Sequence, residues 1–249
     1  MYGKVIVAKA FLISKLNYVA SILSVPSETV KAIQKHISFF VWNGPDKIKR
    51  KASFNTFDCG GLNLTHLTSW IKAQKLKWLR RFLDNEVKSG WKSYLNWLLK
   101  DKGGTFFLCC DFDLHCSTCS TKDMFYREIL GFWKELKHLA GVQTDKHIIW
   151  NNKKVQIDNK PVFYPEYRDL GIVFVSDLFK HNFNDFFSSA LHLGWKKGIE
   201  LLKWYGLKSA SSTLFNTIMK ESNPEFNSSI EIETYLNGCL SIFVSEKTK

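Results

Sequence analysis

Apolar residues recur at three- and four-residue spacing almost from the first position. Val5, Ala8, Leu12, Leu16, Val19 and Leu23 fall on one side of a helix drawn over 3–23. A chain with this period buries stripes against other helices rather than one face of a sheet. Ile6 and Ile13 lie on the far side, so this helix is expected to pack against more than one neighbour. It opens at residue 1 without a capping residue, as a chain cut out of something longer would. Pro26 ends it; Ser27 is placed to cap a second helix, with Glu28 in its first turn. There Val30, Ile33, Ile37, Phe40 and Val41 face the core, Lys31 and Lys35 point away, and Asn43-Gly44-Pro45 is the stop. A third helix is expected over 64–83, with Leu64, Leu67, Ile71, Trp78 and Phe82 on one face and Lys77, Arg80 and Arg81 opposite. Ser89 is placed to cap a fourth, striped by Trp91, Tyr94, Leu95 and Leu98. Between the second and third come Lys47-Ile48-Lys49-Arg50-Lys51, a segment read as extended over 52–57, and the turn Cys59-Gly60-Gly61. Adjacent glycines there allow a positive φ or a close backbone approach.

Lys102-Gly103-Gly104 reads as a boundary or long turn. Beyond it, Phe125, Ile129, Phe132, Trp133 and Leu136 predict a helix over 122–139. Three strand-like pieces follow at 148–150, 155–157 and 162–163. Asn151-Asn152 and Asp158-Asn159 supply turns between them, which predicts a small antiparallel meander. Pro165 and Gly171 bracket a short helix in the expected order, and helical stretches follow at 183–191 and 195–207. From Ser209 the chain is rich in Ser, Asn and Thr, with weak periodicity. The expected fold is mainly α: a basic helical module over 1–100, an accessory helical region with the meander over 101–215, and a poorly defined tail over 216–249.

Charge is divided as unevenly as structure. Residues 1–100 hold 17 Lys and Arg against 5 Asp and Glu, which accounts for the whole net charge of +12; 101–249 hold 18 of each. Such a field concerns partners rather than fold, and a polyanion is the natural one, because neutralised phosphates release counterions. Lys9 and Lys15 interrupt the first apolar run, so neither a secretory signal nor a membrane span is expected. The six cysteines are then expected to stay reduced in an intracellular compartment, nucleus or cytoplasm. Lys47–Lys51 also has the composition of a nuclear import signal.

A series of short elements occurs in fixed order: Gly3-Lys4, Lys9, Lys15-Leu16 and Tyr18; Phe40-Val41-Trp42-Asn43-Gly44; Lys47-Ile48-Lys49-Arg50; Gly60-Gly61-Leu62-Asn63-Leu64. This series resembles the region just beyond the polymerase palm in reverse transcriptases of LINE-type (non-LTR) retrotransposons. Phe125-Tyr126-Arg127-Glu128, Trp150-Asn151-Asn152, Lys160-Pro161-Val162-Phe163 and the stretch 171–178 resemble the segment that follows in those polyproteins. The resemblance covers about 1–215; its most specific parts are Trp-Asn-Gly and Gly-Gly-Leu-Asn. It implies that 1–100 is a thumb-like module gripping the primer–template duplex, with RNA, RNA–DNA hybrid or DNA and the remainder of the polyprotein as partners, and no membrane. The family's Tyr-x-Asp-Asp palm motif, whose carboxylates hold two catalytic metals, is missing, and 249 residues leave no room for fingers, palm and endonuclease. The chain alone is therefore expected to be no enzyme and to need no cofactor, Mg²⁺ belonging to the full polymerase. Two other classes stay open: a non-enzymatic basic protein that binds acidic partners or membrane surfaces, and a decayed transposon remnant without selected activity.

The residues expected to meet phosphate are Lys4, Lys9, Lys15, Lys47, Lys49, Arg50, Lys51, Lys72, Lys75, Lys77, Arg80 and Arg81, since backbone contacts need positive charge on a fixed scaffold. Trp42, Trp70 and Trp78 lie among them and can stack on unpaired bases, although at least two of the three are expected in the core. Cys109, Cys110, His115, Cys116 and Cys119 are the one metal-like constellation. Their spacing is too compressed for paired zinc knuckles, so free, partly buried thiols and no zinc are expected. Asp111 and Asp113 are expected to point outward from an extended strand, without a catalytic role. No nucleophile elbow, phosphate-binding glycine loop or His-Glu-x-x-His is present. His36, His66, His138, His147, His181 and His192 are scattered singly.

Overall fold

One extra residue is wound into the first apolar stripe. Helix α1 runs Tyr2–Ile22, and within it Ala8–Ile13 form a π turn. That turn closes i→i+5 hydrogen bonds, so the position one turn after Ala8 is Ile13 instead of Leu12. The buried residues are accordingly Val5, Ala8, Ile13 and Ala20, while Leu12, Val19 and Leu23 are exposed. Three of the six residues expected on the core side thus face outward. The computed structural model describes residues 2–117, 119–139 and 147–221. They are mainly helical and fall into two units, one running to Asp84 and the other starting at Asn85.

In the first unit, helix α2 spans Ser27–Trp42, with Pro26 at the capping position and no side-chain cap from Ser27. Asn43 closes it in the left-handed conformation, its N–H donating to the Phe39 carbonyl. Val30, Ile37, Val41 and Trp42 are buried, but Phe40 is exposed. The stretch expected to be extended over 52–57 begins as a helical turn instead, α3, Arg50–Ser53. The reason lies in the glycine loop behind it. Leu62 and Leu64 N–H both donate to the Ser53 carbonyl (3.2 and 3.0 Å), and Asn63 N–H donates to Asn55 (2.7 Å). Gly60 adopts φ +73°, and a Cβ on Gly61 would run into the Asn55 carbonyl, so each glycine is required for its own reason. Helix α4, Leu67–Leu83, begins where Gln34 of α2 accepts from the Leu67 N–H at 2.7 Å. Its residues Leu67, Ile71, Leu79 and Phe82 are buried.

The second unit opens with α5, Gly90–Lys100, which charge alone groups with the first hundred residues. Leu95 and Leu99 are buried as α5 packs on the 3₁₀ turn Gly104–Cys109. Helix α6, Met124–Leu139, is capped by Asp123, whose carboxylate accepts from Phe125 and Tyr126 N–H (2.9 and 3.3 Å). The expected meander reduces to one two-residue ladder, β1 (Gln156–Ile157) against β2 (Lys160–Pro161), and a bridge between Ile148 and Phe174. Asp158 and Asn159 turn the hairpin at φ +52° and +59°. Trp150, Asn151 and Asn152 are all buried. Trp150 Nε1 donates to Ile172 O at 2.8 Å, Asn151 Nδ2 to Lys102 O at 2.8 Å and Asn152 Nδ2 to Ile148 O at 2.7 Å. The first two bonds tie separate segments together, and the third closes the local turn. Helices α7 (Pro165–Asp169), α8 (Val175–Lys180) and α9 (Phe183–Ser189) follow, then α10, Lys197–Glu221. The last is longer than its periodicity predicts. Ser212 and Thr217 hydroxyls donate back to Ser209 O and Thr213 O (2.8 and 3.0 Å), and Ser211 to Leu207 O, so these three hydroxyls are satisfied on their own helix. The tail beyond Glu221 lies outside the described residues.

Candidate nucleic-acid interface

The π turn sets which side of α1 meets α4. After it, Ser14, Asn17, Tyr18 and Ser21 follow one another at i, i+3, i+4 and i+7, and Gln74, Lys77, Trp78 and Arg81 repeat the same spacing on α4. These eight residues line an open groove of about 340 Å³. Beneath it, side chains of α4 cap the end of α1: Trp78 Nε1 donates to Ser21 O at 2.9 Å and Lys75 Nζ to Ile22 O at 2.9 Å. Such carbonyls lack partners inside their own helix, and a buried cation at a helix C-terminus is favourably placed in its dipole.

Lys75 is therefore a correction to the expected phosphate-contacting set. It is 0% exposed and spent on the α1 terminus. Lys77, Arg80 and Arg81 do lie exposed together along α4. Lys77 Nζ rests on Gln74 Oε1 at 2.9 Å, and the Arg81 guanidinium sits 5.8 Å from the Trp78 ring centre. Lys72 is half-buried and Lys15 exposed. Lys9 is half-buried, and burial lowers its pKa. Lys4 donates to Asn43 Oδ1 at 3.4 Å and lies over the Phe40 ring. Lys47 and Lys49 are exposed on the loop after α2, and Lys51 is exposed on α3; Arg50 is held by Asp46 at 2.6 Å, which compensates its charge locally. Of the tryptophans, Trp42 is buried, and Trp70 and Trp78 are half-buried. Residues 1–84 carry 14 Lys and Arg against 4 Asp and Glu, a net charge of +10.

Sequence reasoning missed Ser14, Asn17, Ser21 and Gln74. The available signal was a polar i, i+3, i+4, i+7 stripe on an otherwise apolar helix. The rest of α1 has a second exposed side, with Ile6, Phe11 and Leu12 at 66, 63 and 42% exposure. Despite Lys9 and Lys15, α1 is long and apolar enough to cross a bilayer, with a mean hydropathy of 1.5 over 18 residues and 22% of that window buried.

In the second unit Cys110 and Cys119 both reach the Asn151 side chain, with Cys109 close to Cys110. Cys110 and Cys119 are buried, Cys109 and Cys116 half-buried, and His115 exposed. Among the described residues no three His, Cys, Asp or Glu side chains converge as metal ligands. Burial pushes the Cys109 thiol up to about 12, against a partial opposing pull from Lys137. Asp111 and Asp113 do not lie on a strand. Phe112 between them is buried and stacks on Phe107, while Asp111 meets Lys153 at 3.4 Å and Asp113 accepts from the His115 N–H at 3.1 Å. No protein-family model, curated protein or solved structure matches the chain.

Proposed function

We propose that this chain is the thumb-like and following part of a LINE-type reverse transcriptase, and that its first unit binds RNA, RNA–DNA hybrid or DNA through phosphate contacts with little dependence on sequence. The observation that carries this is the exposed row Lys77, Arg80 and Arg81, fixed on one helix within a unit of net charge +10. Charge on a rigid scaffold is what backbone contact requires. The ordered series from Gly3-Lys4 to Gly60-Gly61-Leu62-Asn63-Leu64 supports the family assignment. In that assignment the polymerase chemistry resides in the palm, and the exposed side of α1 at Ile6, Phe11 and Leu12 is where the remainder of the polyprotein packs.

The same exposed side favours a second reading, in which α1 lies on or in an anionic lipid bilayer with the basic residues at the headgroups. One comparison separates the two: binding of the full chain to a 20-mer RNA–DNA hybrid and to vesicles of mixed neutral and anionic lipid, at matched salt. The nucleic-acid reading expects micromolar or tighter binding to the hybrid and weaker association with the vesicles. Vesicle binding that survives high salt, with no hybrid binding at low salt, would replace it with the membrane reading.

A further inference from the structure

The groove between α1 and α4 holds more than phosphate contact requires. Tyr18 on its wall is 76% exposed, and among the described residues its ring and hydroxyl engage no other group. Trp78, the other aromatic at the groove, is committed: its N–H is tied to Ser21 O and the Arg81 guanidinium lies against its ring. The side chains between are small and polar. Ser14 and Ser21 turn their hydroxyl protons onto the Ala10 and Tyr18 carbonyls, which leaves their oxygens as acceptors. Asn17, also exposed, offers both an acceptor and a donor. At about 340 Å³ the groove has the size of a small-molecule site and cannot admit a duplex.

We infer that this groove seats one unpaired nucleotide of an RNA or DNA strand, its base stacked on Tyr18 and its flanking phosphates held by Lys77 and Arg81. The inference rests on the nucleic-acid reading above and adds strandedness to it. Every base has a π face, so a tyrosine plate tolerates sequence while demanding an unpaired base. Lys77 and Arg81 stand one helical turn apart on the same side of α4 and bracket that position.

The test uses the full chain with a 12-nucleotide single strand, in ribose and deoxyribose forms, and with the same strand fully duplexed. Tyr18→Ala should weaken single-strand binding about ten-fold, the size of one base–aromatic stack, while duplex binding changes less than two-fold. Tyr18→Phe should restore it. A 2-aminopurine base in the strand should be quenched by the wild-type chain and not by Tyr18→Ala. Lys77→Gln with Arg81→Gln should flatten the single-strand log–log salt dependence by about 1.4, two contacts' worth, which Tyr18→Ala leaves alone. If Tyr18→Ala, shown by its melting curve to be folded, changes neither substrate, or both equally, the groove is not a nucleotide site, although phosphate binding by the unit stands. If the wild-type chain binds neither substrate at low salt, the broader reading falls with it. Equal affinity for the two sugars assigns the site to any single strand; a preference for ribose narrows it to RNA.

Discussion

Lys75 and Lys77 stand two positions apart on one helix and have opposite fates. Lys75 turns inward to the last carbonyls of α1, and Lys77 stands in solvent on the groove. Lys75→Met keeps the aliphatic bulk but leaves the Ile22 carbonyl without this donor, so it should destabilise the unit by about 1–3 kcal/mol. Its effect on the salt dependence of nucleic-acid binding should be nil. Lys77→Gln should do the reverse, which chemical denaturation and a salt titration on both variants will check. Cys109 offers a second residue-level test. With its pKa raised to about 12, its thiolate form at pH 9 is roughly a thousandth of the thiol, where a free cysteine is about half ionised or more. Iodoacetamide at pH 8–9 should therefore label exposed Cys59 well ahead of Cys109 and leave Cys109 largely untouched, with its labelling rate still climbing beyond pH 10. Mass spectrometry of the native chain reads this directly, and labelling of Cys109 at the Cys59 rate would contradict it.

At the scale of elements, the π turn in α1 decides both the core and the groove. Plain helical spacing assigns Leu12 to the core; the extra residue gives that place to Ile13, 4% exposed against 42% for Leu12. Ile13→Ala should cost about 2–5 kcal/mol, and Leu12→Ala well under half of that. Equal costs measured by urea unfolding would mean that the helix is regular. This is also where legibility ended. The positions of the helices could be read because apolar periods, Pro26, Asn43-Gly44 and Pro165 mark them without reference to tertiary structure. Phase could not, because a π turn has no compositional mark. The segment after Lys51 differs from its extended expectation because its conformation is imposed by hydrogen bonds from Leu62, Asn63 and Leu64, residues beyond the local window. Likewise the exposed basic row on α4 was legible as a face opposite an apolar stripe. The groove was not, since it needs Ser14, Asn17 and Tyr18 brought to α4 by a turn that periodicity does not register.

For the whole molecule, charge and architecture divide at different points. The charge profile evens out near residue 100, whereas the units divide at Asp84, because α5 buries Leu95 and Leu99 within the second unit despite its lysines. The Trp-Asn-Gly, Gly-Gly-Leu-Asn and Trp-Asn-Asn elements each have a structural duty: a helix stop at Asn43, a pinned loop at Gly60–Leu64 and a buried tie at Trp150 and Asn151. They specify the scaffold, and in the reading proposed above the cations it carries would supply the binding. The measurement that tests this most directly is the salt dependence of binding to two RNA–DNA hybrids of unrelated sequence. It compares the full wild-type chain with a Lys77→Gln, Arg80→Gln, Arg81→Gln variant. Phosphate contact predicts that the variant binds both hybrids more weakly by the same factor, with its log–log slope flatter by about 2–3. An unchanged slope and affinity in the folded variant would contradict it and leave the basic row as a solvated surface.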